Sequence, residues 1–235
     1  MKNPKFVDGQ IYHIYNRGVD KRKIFLDDSD HFRFTHDLFE FNDTEPALNL
    51  YYKLPNYQSY EVSLRKIKND RKPRELLVEI LAFCLMPNHF HLLIKQKQDN
   101  GITDFMRKLG TGYTNYFNKK YNRAGSLFQG LFKAILVNRE PHFIHLPFYI
   151  HVNPLDLIAP EWRKGEIKNI KKAINFLENY RWSSFLDYIG KNNFPSVTRR
   201  EFLLEFFGGP EQYKKDILLW LKKRDVEEIK DLTLE

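Results

Sequence analysis

His89-Phe90-His91 lies within Met86-Pro-Asn-His-Phe-His-Leu-Leu-Ile-Lys95, where two imidazoles flank a phenylalanine at the mouth of an apolar run. In an extended strand, residues i and i+2 project from one face about 6.5–7 Å apart, and the residue between them projects from the other. His89 and His91 then point one way and Phe90 the opposite way. Two neutral imidazoles at that separation can converge on one divalent cation. The spacing by itself suits two half-exposed strand residues equally well. A two-nitrogen site needs a further donor, and Tyr149-Ile-His-Val-Asn153 offers one. Residues four apart share a helix face, so the Asn153 amide and the Tyr149 hydroxyl can address one ion or phosphate. Each also has a plain structural reading. Asn153 suits a helix C-cap ahead of Pro154, because a residue before proline avoids helical geometry. Tyr149 suits an amphipathic face with a hydrogen-bonded hydroxyl. His145, one turn earlier, reads as a surface histidine.

The surrounding pattern supplies elements to hold these groups. Ile11-Tyr-His-Ile-Tyr15 is β-branched and aromatic, with Asn16-Arg17-Gly18 as its turn, which predicts a strand. Asp27-Asp-Ser-Asp30 offers capping oxygens for a helix ending near Asn42-Asp43. Leu76–Leu85 and Phe90–Ile94 read as paired strands around Met86-Pro-Asn88. Gly101 opens a long helix through about Tyr121, with Phe105, Leu109, Tyr113 and Phe117 at four-residue spacing. Ser126–Val137 reads as another strand, and Glu140-Pro141 starts a helix with proline in its first turn. Pro147 falls inside that helix and predicts either a kink just ahead of Tyr149 or a later helix start. The order β-α-β-β-α-β-α is that of an α+β, ferredoxin-like split βαβ antiparallel sheet with one added helix. Residues 1–158 form the expected core, with 45–75 as a polar insertion or loop. Residues 159–235 form a helical C-terminal extension, with helices near 166–180, 199–207 and 210–224.

The chain has 235 residues and a net charge of +8, with 42% hydrophobic and 15% aromatic residues. That is a globular composition whose basic excess favours a polyanionic partner, nucleic acid before membrane. One cysteine, Cys84, excludes an intramolecular disulfide and a cysteine-cluster metal site, and its apolar setting predicts an inert buried thiol. No apolar secretory core or spanning segment is evident, so a cytoplasmic location is expected.

Five segments occur in the order found in one family: YHIYNRGVDKRKIF, MPNHFHLLIK, SLFQGLFKA, YIHVNPL and YRWSSFLDYIG. Over about residues 11–190 the chain resembles the single-tyrosine HUH transposases of the insertion-sequence 200/605 type, and within them the REP-associated tyrosine transposases. The resemblance implies an HUH endonuclease core in which His89 and His91 bind a divalent metal, Mg²⁺ or Mn²⁺, with Asn153 as the helix-borne third ligand. It implies Tyr149 as the nucleophile that cleaves and rejoins single-stranded DNA at hairpin or palindromic elements through a 5′-phosphotyrosine. It allows a monomer or a homodimer that exchanges tyrosine helices, nucleoid-associated when bound to DNA. Leu131 stands where the family often carries arginine. Given the resemblance, Asn16, Arg17, Lys21, Arg22 and the neighbouring Lys23 form one candidate DNA contact, and Arg107, Lys108, Lys119, Lys120 and Arg123 on the long helix another. Trp182 reads as a packing residue.

Two other readings remain at this stage. Split βαβ sheets also serve as non-catalytic nucleic-acid-binding modules, and a hydrolytic metalloenzyme would use the histidines to activate water while Tyr149 only packs.

Overall fold

The computed structural model describes residues 3–46 and 73–223. Most of the expected 45–75 insertion lies outside the described residues. Four strands, β1 (Ile11–Arg17), β2 (Val78–Met86), β3 (His89–Gln96) and β4 (Lys133–Leu136), form one antiparallel sheet in the order β2-β3-β1-β4. This is the split βαβ order, and the fold is α+β as expected.

The alternation of side chains in β1 and β3 divides the molecule into two layers. Tyr12, Ile14, Phe90, Leu92 and Ile94 point into a core closed by α1 (Asp28–Glu40) and α2 (Gly101–Lys120). Helix α1 begins where the Asp27 carboxylate accepts the Asp30 N–H at 3.0 Å, a side-chain N-cap. Phe105, Leu109, Tyr113 and Phe117 of α2 are all buried in that layer, as their spacing requires.

The opposite face carries α3 (Glu140–Val152). Leu146 to Val152 are buried without a break. A helix apolar on all sides needs partners on all sides. Leu81, Ala82, Cys84, Met86 and Leu93 of the sheet lie beneath it, and the C-terminal extension covers it from outside. That extension comprises α4 (Ile170–Leu177), α5 (Phe185–Tyr188), α6 (Glu201–Phe206) and α7 (Pro210–Lys223). Phe148 meets the rings of Phe207 at 5.0 Å and Tyr213 at 5.2 Å. Cys84 is fully buried, and burial drives its thiol pKa well up, consistent with an inert role.

Several boundaries differ from the sequence reading. The predicted strand over 126–137 shortens to Lys133–Leu136, because Gly130 turns the preceding segment with a left-handed φ of 72°. Helix α3 runs through Pro147 with no break, so its start is as predicted. Asn153 takes helical angles despite the following proline, and the chain continues into a tight 3₁₀ turn, Asn153–Leu157. Trp182 packs as expected, stacked on His31 at 4.5 Å. Its segment also completes the sheet edge. The Leu85 N–H donates to Trp182 O at 2.8 Å, and the Ser184 N–H donates to Phe83 O at 3.0 Å.

Candidate active site

The β2–β3 connection is two residues long, Pro87-Asn88, and it is fastened on its outer side. Ile24 and Phe25 donate backbone N–H groups to Pro87 O, and Gly18 donates to Asn88 O at 2.8 Å. Gly18 has to be glycine for this closure: a Cβ there would lie 2.2 Å from Arg22 O. The register that follows pairs Arg17 with His89 and Tyr15 with His91. All four side chains project on the α3 side of the sheet, together with His13.

Each histidine of the pair has one committed nitrogen. His89 Nδ1 lies 2.7 Å from Asn88 Oδ1, which has only lone pairs to offer, so Nδ1 carries the hydrogen and donates it. His91 Nδ1 lies 2.9 Å from His13 Nε2. The Nε2 atoms of His89 and His91 are both buried without a hydrogen-bond partner. Their rings stand 5.0 Å apart at 90°. Burial pulls the His89 pKa down to about 4, with the Asn153 side chain opposing that shift. Burial also holds His91 well below the usual imidazole range, reinforced by the neighbouring His89 and His13. Both rings are therefore neutral at pH 7, and His89 Nε2 presents a lone pair.

Tyr149 approaches from α3. It is fully buried, with its ring edge-on to His91 at 5.7 Å and to His13 at 6.4 Å. Asn153, one turn later and also fully buried, donates from Nδ2 to Tyr149 O at 3.3 Å. The i,i+4 reading of these two residues thus brings them to the histidine pair within one chain. His145, expected at the surface, is half-buried, with its Nδ1 enclosed and without a hydrogen-bond partner.

Two residues that sequence reasoning passed over complete the cluster. Arg163 donates from Nη1 to the Tyr149 hydroxyl at 3.1 Å and from Nη2 to Asn153 Oδ1 at 3.4 Å. Asp156 grips the same guanidinium at 2.9 Å and 2.5 Å. Burial alone would lower the Arg163 pKa, but the Asp156 hydrogen bond and the Tyr149 contact raise it, so it stays charged. Tyr15 is the second. Its hydroxyl is buried with no hydrogen-bond partner, and burial together with the nearby Tyr149 raises its pKa to about 12. Arg163 falls in none of the five family segments, and Tyr15 lies in the first without being singled out there. Only Tyr15 carried a signal, the strand alternation that places it on the histidine face.

These groups open on a cleft of about 650 Å³ lined by His13, Tyr15, His89, His91 and Tyr149, with Arg17, Lys21, Lys23 and Lys133 among its walls. Asn16 also lines it. Arg22 is turned aside, pairing with Asp20 at 3.6 Å. The long-helix cluster is not brought to the cleft, because α2 belongs to the opposite layer. Arg107 pairs with Asp104, Lys108 caps the carbonyls of Asp43, Thr44 and Glu45, and Lys120 pairs with Asp27 and Asp30. Arg123 donates to Asn118, and Lys119 lies on the same last turn of α2. Leu131 is 84% exposed on the loop leading into β4.

Among the described residues no group of three His, Cys, Asp or Glu side chains is arranged to hold a metal. An ion here would rest on the two orphaned Nε2 atoms plus oxygens. That donor set fits a divalent cation such as Mn²⁺ or Mg²⁺ that keeps open positions, not a closed zinc site.

Residues 58–153 match the family model described as transposase IS200 like. That segment is similar to the IS200-like transposases. The matched segment contains His89, His91 and Tyr149 and ends on Asn153, so all four candidate residues lie inside it. His13, Tyr15, Asp156 and Arg163 lie outside it. A solved structure described as "Structure of the REP associates tyrosine transposase bound to a REP hairpin" aligns over 84% of this chain and 89% of that one, at 14% identity and a TM-score of 0.48. No curated protein matches. Among the described residues no helix is long and apolar enough to cross a membrane.

Proposed function

We propose that this chain is an IS200-like transposase that cleaves and rejoins single-stranded DNA through Tyr149, assisted by a divalent metal on His89, His91 and Asn153. The observation that carries the reading is the meeting of Tyr149 with two neutral histidines whose buried Nε2 atoms have no hydrogen-bond partner, at the floor of a basic cleft. When bound, the ion would polarise the phosphoryl oxygens and stabilise the departing 3′ oxygen. Tyr149 Oη bonds to phosphorus as the P–O3′ bond breaks. The electron pair leaves on O3′, and the phenolic proton ends on the released 3′-hydroxyl by way of solvent. The phosphotyrosine keeps the energy of the cut bond, so a second 3′-hydroxyl can reverse the step and join strands.

The cleft admits a backbone flanked by Arg17, Lys21, Lys23 and Lys133, and hairpin or palindromic elements of genomic DNA are the proposed substrates. Tyr149 reaches the histidines of its own chain, which favours action in cis over a helix-exchanged homodimer. In this reading residues 1–158 supply Tyr149 and the metal donors, and 159–235 brace α3. The setting would be cytoplasmic, at the nucleoid.

The test is a hairpin-bearing oligonucleotide incubated with Mg²⁺ or Mn²⁺ and resolved for covalent protein–DNA adduct. Wild type should form it, and Tyr149→Phe should not. Binding without cutting would point instead to a nucleic-acid-binding module. Cleavage that survives Tyr149→Phe would point to water activation by the histidines.

A further inference from the structure

Arg163 makes more of the contacts in this cluster than its position beyond the recognised motifs would suggest. Its guanidinium spans three groups at once: the Tyr149 hydroxyl at 3.1 Å, the Asn153 amide oxygen at 3.4 Å and the Asp156 carboxylate at 2.9 Å and 2.5 Å. The fork is itself held. Trp162 Nε1 donates to Asp156 Oδ1 at 2.6 Å, which fixes the carboxylate. The guanidinium carbon also lies 5.5 Å from the centre of the Tyr149 ring and 5.0 Å from that of Trp162. An Arg–Asp pair built only to close a turn would not need to direct a second arm at a tyrosine oxygen. Arg163 sits in a short 3₁₀ turn, Pro160–Lys164, and Asp156 in the one before it, Asn153–Leu157; the two are tied where the Ala159 N–H donates to Leu155 O at 2.7 Å. The local backbone therefore sets where the arm points.

We propose that Arg163 is a catalytic residue of this chain, holding the Tyr149 oxygen in its attacking position and offsetting the negative charge that passes through that oxygen as it bonds to phosphorus. The inference rests on the phosphotyrosine reading given above. A guanidinium has five donors and no acceptor, so Arg163 cannot take the phenolic proton. It occupies an oxygen lone pair and leaves the proton to follow the path to O3′. After attack, the same arm faces the phosphate oxygens of the covalent intermediate, where a planar two-nitrogen donor is well matched. Asp156 and Trp162 are positioning residues: they act through Arg163 and do not touch the reacting atoms. The chemistry then draws on both the matched family segment and the extension that follows it.

The experiment measures single-turnover adduct formation on a hairpin-bearing oligonucleotide with Mn²⁺, alongside DNA affinity by fluorescence anisotropy. Arg163→Ala should slow adduct formation on the order of 100-fold, as loss of one preorganised donor does, with DNA affinity within about threefold of wild type. Added guanidinium ion should restore part of that rate. Arg163→Lys keeps the charge and most of the packing but cannot span Asp156 and Tyr149, so it should lose roughly tenfold. A wild-type rate in either variant overturns the proposal. So does a parallel loss of rate and affinity in Arg163→Ala with no rescue by guanidinium. An adduct missing from wild type, or equally present in Tyr149→Phe, overturns the phosphotyrosine reading along with it.

Discussion

His13 Nε2 lies 2.9 Å from His91 Nδ1, across the junction of β1 and β3. That contact decides which His91 nitrogen is free. If Nδ1 donates to His13, Nε2 keeps a lone pair directed away from the sheet hydrogen bond. An imidazole oriented in this way by an outer partner is a better ligand, and removing such a partner typically costs 10–100-fold in metal affinity. His13→Ala should therefore weaken Mn²⁺ binding about tenfold or more, as read by direct titration of the metal. An unchanged affinity would show that His13 merely fills space.

The two basic regions separate by layer, and so should the effects of changing them. Lys21→Ala and Lys133→Ala, at the cleft, should each weaken binding to single-stranded DNA and lower the salt slope by about one. Lys120→Ala should leave that slope alone. It removes the Nζ that serves Asp27 at 2.8 Å and the fully buried Asp30 at 2.7 Å, so it should instead cost about 2 kcal/mol of stability. Anisotropy at several salt concentrations and chemical denaturation distinguish the two outcomes.

Acid should act through His151. This residue is fully buried, with Nδ1 2.6 Å from Tyr213 Oη and Nε2 2.7 Å from Ser184 Oγ, and it joins α3 to the extension. Burial lowers its pKa to about 3. A histidine depressed in the folded state binds its proton first in the unfolded state. Its contribution is thus complete above the unfolded value near 6.5 and is lost as pH falls toward 3. His151→Gln should be less stable than wild type at pH 7. The gap should narrow by about 3 kcal/mol at pH 4.5, measured by denaturant unfolding at both values. A gap independent of pH would contradict the assignment.

Removing the Tyr149 hydroxyl should be tolerated by the fold while abolishing adduct formation. Tyr149→Phe keeps the buried ring and leaves one Arg163 donor without its acceptor, a loss of about 1 kcal/mol. A thermal melt that changes little, beside a complete loss of adduct, separates chemistry from stability.

The sequence alone determined the layers. Alternation in Ile11–Tyr15 and His89–Gln96, four-residue spacing in α2 and the Pro87-Asn88 turn all follow from local geometry with periods of two and 3.6. They placed His89 and His91 on one face and Phe90 on the other before any fold was known. The i,i+4 relation of Tyr149 and Asn153 was legible for the same reason. Tertiary structure decided what those residues meet. Helix α3 is apolar all round, so its own pattern could not tell its sheet side from its extension side. Only packing of α3 against sheet residues such as Leu93 and extension residues such as Phe207 assigns them. His13 and Tyr15 become neighbours of His91 through strand register, which hydrogen bonds between distant segments fix. Arg163 reaches Tyr149 because two short 3₁₀ turns reverse the chain after Val152, and a reach of fourteen residues through such turns has no sequence period to announce it.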